Sequence, residues 1–287
     1  MFSPVNTKDP IAVEKEVLSI YTGLFPHGER AFVPRAFEWA AECFAGRYQD
    51  YGPIDARYHD FEHTMQGTLC LARLLRGRHA AGAAPVLTAK ELELGLLAIL
   101  FHDMGYLKRR NDTGGTGAKY TASHVMRSAA FAKEFLAARG LADADVRAVQ
   151  NMINCTGINV DLQAIRFQSE PERTVGFAIG TADLLGQMAA DDYVEKLPVL
   201  FQEFAEATRF DAGNLPRNFA FESAEELMRK TPAFWENYVQ PKINRDFGRL
   251  YVFLNDPYPD GPNPYLQLIE ANIARIRKAT SPSSSAG

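Results

Sequence analysis

Several things are scarce in this chain, and each scarcity excludes something. It has three cysteines, Cys43, Cys70 and Cys155. The number is odd and no C-x-x-C spacing occurs, so neither a disulfide framework nor a thiolate zinc site fits, and small buried thiols in a reducing compartment are expected. There is no basic excess: the net charge is −4. A surface that works by neutralising nucleic-acid phosphates needs such an excess, so polymeric nucleic acid is not an expected partner. A small anionic substrate stays open, because bound metal ions can supply local positive charge. No apolar run is long enough to cross a bilayer; the longest, Leu94 to Phe101, is less than half the needed length. The first residues hold no basic segment followed by an apolar one, so no signal peptide is expected. The default location is cytoplasmic, with no membrane partner. Period-2 alternation is also scarce, which excludes a strand-built fold.

What is present is helical periodicity. Apolar residues recur at three- and four-residue steps nearly throughout, which predicts an all-α fold. The 287 residues suffice for one domain with a sizeable core. One helix is expected from about Phe61 to Arg76, followed by an Ala/Gly-rich loop from His79 to Pro85. Thr88 and Glu91 make a capping-box pattern ahead of a buried helix, Leu92 to His102. The polar, glycine-rich stretch Lys108 to Gly117 reads as a mobile surface loop. Further helices are expected over Ala122 to Arg139, from Asp143 as cap to near Gly157, over Glu172 to Met188, and over Asp192 to Thr208 with Pro198 near its start. Ser223 and Glu226 repeat the capping-box spacing. An aromatic-rich segment, Pro232 to Leu254, precedes a proline-rich turn and a last helix over Tyr265 to Lys278. No repeat or composition break divides the chain, so residues 1–278 are taken as one domain, with a chemical core at about 55–210 and helices at about 222–278 closing it. The tail, 279–287, is low in complexity and expected to be disordered.

The chain has six histidines, and four stand where they make sense together. His59 and His63 are spaced i, i+4 in YHDFEH and on a helix would share a face. His102 and Asp103 directly follow a run of apolar residues in LLAILFHDMGY, where burying them is costly unless they are paired or ligated. Asp183 lies in the mostly apolar FAIGTADLLGQM, with the same difficulty. Each of these residues alone has an ordinary explanation as a hydrogen-bonded core group. Together they point to a divalent metal, since imidazole and carboxylate donors suit zinc, manganese, iron or magnesium.

In that order, His63, then His102–Asp103, then Asp183, the chain resembles the HD-domain metal-dependent phosphohydrolases. Within them it is most similar to the catalytic domain of the 3′,5′-cyclic-nucleotide phosphodiesterases. Tyr58-His59 and His63 match the family's Y-H-N-x-x-H, with Asp60 in place of Asn. His102-Asp103 begins its H-D-x-x-H-x-G-x-x-N motif, and Asn111 falls on the final Asn. Tyr106 replaces the second His and Lys108 the Gly. Ala182-Asp183-Leu184 matches the A-D-L that carries the last ligand, and Asp192 to Phe204 resembles the next helix, ending in E-F. PAFWENYVQP resembles the segment that carries a stacking Phe, here Phe234, and a base-reading Gln, where Thr231 stands. The resemblance spans roughly residues 55 to 250.

The resemblance implies an HD-type helical bundle with two divalent ions (Zn, Mg, Mn or Fe). His63, His102, Asp103 and Asp183 would hold the first ion, and Asp103 would bridge to the second. It implies hydrolysis of a phosphodiester, of a cyclic nucleotide or a related nucleotide, by a hydroxide between the ions, with His59 as general acid. His124 would be a second-metal ligand or substrate contact; its ordinary alternative is a cap near Thr121. Asn111 and Gln187 are further candidates for the second metal or the substrate. Phe234, Thr231 and Tyr106 are candidate substrate-binding residues, Phe234 and Trp235 having core packing as their alternative. Arg109, Arg110 and Lys119 could contact phosphate or simply face solvent. Thr231 in the Gln position puts purine cyclic nucleotides in question. Three other readings stay open: a nucleotide phosphohydrolase or monoesterase of the same fold, a di-iron HD-domain oxygenase needing more His ligands than the chain offers, and a non-catalytic module.

Overall fold

The computed structural model describes residues 2–158, 160–211 and 221–281, leaving aside the side chain of Asp211. These residues form ten α-helices and no strand, with one isolated bridge between Tyr51 and Arg109. The fold is all-α, as the periodicity requires. No described helix is long and apolar enough to cross a membrane. The tail lies outside the described residues from 282 onward; 279 and 280 belong to the last helix.

Two helices open the chain, α1 (Pro10–Leu24) and α2 (Phe32–Phe44). The Asp9 side chain accepts from the Ile11 N–H, and Pro10 sits in the first turn, where a missing N–H costs nothing. The pair packs against α3 (Phe61–Ala80) and α4 (Ala89–Phe101). In α4 every residue from Leu94 to Phe101 is buried, which is what a helix apolar on all sides must do. Its start is the expected capping box: Thr88 caps, and Glu91 returns to the Thr88 N–H at 2.8 Å. After α4 come α5 (His124–Ala138), α6 (Asp143–Ile153), α7 (Glu170–Met188) and α8 (Tyr193–Asp211). The chain closes with α9 (Ala224–Phe234) and α10 (Pro264–Thr280).

The central pair is α3 and α7, and glycine sets their approach. A Cβ on Gly186 of α7 would stand 2.8 Å from the Gln66 backbone and 2.9 Å from the Gly67 nitrogen of α3. Only glycine allows two helices this close without a shift. His63 lies one turn before Gly67 and Asp183 one turn before Gly186. The close approach therefore brings a histidine and an aspartate, far apart in sequence, to the same level.

Three local expectations need correction, and one segment read only as aromatic-rich takes a defined form. The α3 helix continues four residues past Arg76, into the stretch read as a loop. Asp143 opens α6 as its first residue and Ala142 is the cap, so the Asp143 charge serves the helix dipole without a capping bond. The aromatic segment after α9 is wound as two π turns, Trp235–Val239 and Lys242–Asp246, around Pro241, which has no N–H to continue an α-helical ladder. The stretch from Lys108 to Gly117 is not free. Lys108 Nζ meets Asp55 at 3.1 Å, the Gly117 N–H donates to Asp55, Thr116 donates to Glu206 of α8, and Asp112 takes Lys119 and the Tyr120 hydroxyl. Its polarity supplies these ties, and composition alone cannot show where the partners lie.

Candidate metal centre

The centre is assembled from the C-terminal end of α4, the first turn of α3 and the C-terminal half of α7. His102 is the C-cap of α4 and Asp103 the next residue, where the backbone turns into a short 3-10 turn, Met104–Tyr106. His102 Nδ1 stands 2.7 Å from the Ile99 carbonyl, one of the carbonyls a helix end leaves without a partner. Nδ1 must therefore carry the proton, which fixes the tautomer and leaves Nε2 with its lone pair facing inward. Asp60 caps α3 and accepts from the His63 N–H at 2.8 Å, so Asp performs the capping as Asn would.

Four donor atoms converge. His63 Nε2 is 3.3 Å from Asp103 Oδ2 and 3.3 Å from Asp183 Oδ1. His102 Nε2 is 3.2 Å and 3.4 Å from the same two oxygens. His102 Nε2, Asp103 Oδ2 and Asp183 Oδ1 are buried and have no hydrogen-bond partner. Donors about 2.1 Å from one ion stand about 3.0 Å apart at right angles and about 3.4 Å apart at the tetrahedral angle. The observed separations lie in that interval. The cluster of His63, His102 and Asp103 can hold a metal ion, and Asp183 offers a fourth oxygen at ligand spacing.

The charges agree. Burial opposes ionisation of the His63 imidazole, but Asp103 and Asp183 outweigh it and carry the group up to about 9. His102 is likewise raised against its burial by the same carboxylates. Burial opposes the charged form of Asp103 and Asp183 too, yet the two imidazoles hold both well below the usual carboxylate range. Without a cation, two protons are needed to balance two buried carboxylates. One divalent ion supplies the same charge.

His59 reaches the centre by another route than the one expected. It lies in the bend before α3, because Asp60 with its extended ψ is the cap and the helix begins at Phe61. The i, i+4 helical face is thus not what places it. Glu203 of α8 does: His59 Nδ1 lies 2.6 Å from Glu203 Oε2, and Glu203 Oε1 accepts the Tyr58 N–H at 2.7 Å. Burial would raise the Glu203 carboxyl, but the His59 imidazole and these bonds hold it below its ordinary value. Sequence reasoning stopped at the E-F of α8 and did not single out Glu203; a buried carboxylate among apolar neighbours was the signal available. The His59 and His63 rings are 5.4 Å apart between centroids.

His124 opens α5. Its Nδ1 is 2.7 Å from the Thr121 carbonyl and its Nε2 is 3.9 Å from Asp103 Oδ1. It ties the helix start, and its Nε2 faces the centre. Burial lowers its pKa, keeping a lone pair on Nε2. Gly105 makes this possible, since a Cβ there would meet the His124 carbonyl at 1.9 Å. Tyr106 is fully buried and stacks on His59 at 4.6 Å and on His124 at 4.9 Å. It props both imidazoles.

The centre lies in a cavity of about 900 Å³ whose wall includes Tyr106, Gln187, Thr231 and Phe234. Gln187 is engaged at both ends: Oε1 accepts from the Tyr58 hydroxyl at 2.8 Å and Nε2 donates to the Asp183 carbonyl at 3.1 Å. Thr231 is buried and donates to the Leu227 carbonyl at 2.8 Å. Phe234 stacks on Tyr238 at 5.1 Å, and Trp235 belongs to the core. Asn111 is exposed and away from the cavity, because the chain leaves the 3-10 turn outward to pair Arg109 with Tyr51. Arg109 lies over the Tyr51 ring, Arg110 donates to the Gly46 carbonyl, and Lys119 pairs with Asp112; none of the three lines the cavity.

A family model described as Npun_R2479-like matches residues 110–255, just over half of the chain. The chain belongs to that family. The matched stretch takes in His124, Asp183, Glu203 and the wall around Phe234, and begins after Asp103. No curated protein matches the chain.

Proposed function

We propose that the protein is a metal-dependent phosphohydrolase of the HD-domain type, acting on a phosphodiester. One observation carries the reading: two imidazole nitrogens and two carboxylate oxygens, buried and mostly without hydrogen-bond partners, meet at 3.2–3.4 Å beside a histidine held by a carboxylate. Structural ion pairs rarely leave inward lone pairs unmatched, because each costs about 1–3 kcal/mol.

In this reading His63, His102, Asp103 and Asp183 hold a divalent ion of the zinc, magnesium, manganese or iron kind. Asp103 Oδ1 and His124 Nε2 face each other across 3.9 Å, which suits a share in a second ion. Such ions supply Lewis-acid stabilisation of phosphoryl charge and a lowered pKa for bound water. The chain's own residues do the rest. His59 donates a proton from Nε2 to the departing alkoxide, while Glu203 fixes the opposite nitrogen as a donor and holds the ring in place. Tyr106 holds the His59 and His124 rings in register. Buried thiols at Cys43, Cys70 and Cys155 suit a reducing, cytoplasmic setting.

A monoesterase of the same fold would use the same centre. The diesterase reading follows the resemblance of the His59, His63, His102–Asp103 and Asp183 motifs to the phosphodiesterases; the His59–Glu203 pair provides the acid that an alkoxide leaving group needs in either reaction. Among the described residues, the imidazoles beyond His63 and His102 that a di-iron oxygenase could use at the centre are His124 and His59, the latter already held by Glu203. The test is hydrolysis of bis-p-nitrophenyl phosphate with Mn²⁺, Mg²⁺ or EDTA. Release of nitrophenol that EDTA abolishes is expected. No release from metal-loaded protein would overturn the diesterase reading.

A further inference from the structure

The cavity says more about the substrate than the centre does. Its wall includes Ile158, Leu184, Met188, Leu197, Leu200 and Phe234. Several polar side chains of the wall are engaged with the protein itself, while the Tyr106 hydroxyl is buried without a hydrogen-bond partner and the Tyr193 hydroxyl makes no hydrogen bond among the described residues. Thr231 donates to Leu227, Thr156 to Ile153 at 2.9 Å, Tyr238 to Ile158 at 2.7 Å, and Gln187 is held at both ends. Asn154 and Asn237 are lining amides with no side-chain hydrogen bond among the described residues. Lys230 is the single lysine or arginine among the described lining residues, and Glu226 pairs with it at 2.7 Å.

A nucleobase or a polyphosphate would meet few matching groups here, and each unmatched polar group costs about ten- to hundredfold in affinity. An apolar group finds the reverse. We infer that the substrate is a phosphoester of a largely apolar alcohol, its phosphate at the metal donors and its hydrocarbon body filling the cavity. The two amides leave room for one polar function on that body. This rests on the phosphohydrolase reading for the head group alone; the body is argued from the wall.

The test separates the two. Binding of methyl-, butyl-, hexyl-, octyl- and decylphosphonate to the full chain is measured by calorimetry, with Mn²⁺ and after EDTA, beside AMP and GMP. The inference predicts affinity rising by about fourfold per methylene until the cavity is full, with the same increment in both conditions, and weaker binding of the nucleotides. Leu200→Gln, or Ile158→Asn should the first fail to fold, should flatten the rise for the longer chains. An affinity independent of chain length, or nucleotides binding more tightly than decylphosphonate, overturns it. Hydrolysis of the matching p-nitrophenyl alkyl esters is followed in parallel. A steep rise in binding without any hydrolysis sustains this inference and sinks the hydrolase reading, whereas hydrolysis without chain-length dependence does the opposite.

Discussion

His59 and Glu203, 144 residues apart, share a contact of 2.6 Å between Nδ1 and Oε2. Glu203 is almost wholly buried and also accepts the backbone N–H of Tyr58, so it cannot turn away. A buried carboxylate in that position dictates which nitrogen of His59 carries its proton and where the other points. In the proposed function the pair is the proton donor beside the candidate metal ligands, and most of that reading follows from it.

The first prediction concerns the leaving group. Glu203→Gln and His59→Ala should each slow hydrolysis of a diester with an alkyl leaving group by about 10²- to 10⁴-fold. The loss should be far smaller with p-nitrophenolate, which departs without a proton. Metal content should not change. An equal loss on both substrates would mean that the pair is structural.

The second concerns helix approach. Gly186→Ala places a methyl 2.8 Å from the Gln66 backbone, and overpacking of this kind costs about 1–3 kcal/mol. A melting temperature lower by several degrees is expected, together with weaker metal retention, because α3 and α7 carry His63 and Asp183. A melting temperature lowered without loss of metal would show that the approach serves packing only.

The third concerns the stretch from Lys108 to Gly117. Glu206→Ala removes the acceptor of both the Thr116 N–H and the Thr116 hydroxyl. Amide hydrogen exchange at residues 112–118 should accelerate, while α4 stays protected. Unchanged exchange there would mean that the Asp55 and Asp112 ties suffice.

The fold was largely legible in the sequence and the centre partly so. Helical period, the Thr88–Glu91 box and the all-apolar run before His102 depend on neighbours within a few residues, and those are written consecutively. His63, His102, Asp103 and Asp183 could be grouped because polar residues in apolar helices need partners. Glu203, the role of Gly186 and the ties of the glycine-rich stretch depend on contacts across many tens of residues. His59 shows the limit well: its nearness to His63 was expected from a shared helix face, yet the helix starts after it and a distant carboxylate sets its place. Asn111 shows the converse, a motif position that the chain's outward turn carries to the surface.

The central claim is that His63, His102, Asp103 and Asp183 bind a divalent metal ion. It is tested most directly by elemental analysis of the purified protein after dialysis against Mn²⁺ or Zn²⁺ and removal of free ions. The account predicts at least one ion per chain in the unaltered protein. It predicts a small residue of that, about a tenth or less, in Asp103→Ala and Asp183→Ala proteins that remain helical by circular dichroism, since either change removes a charged ligand. Full metal content in both variants, or none in the unaltered protein, would contradict it.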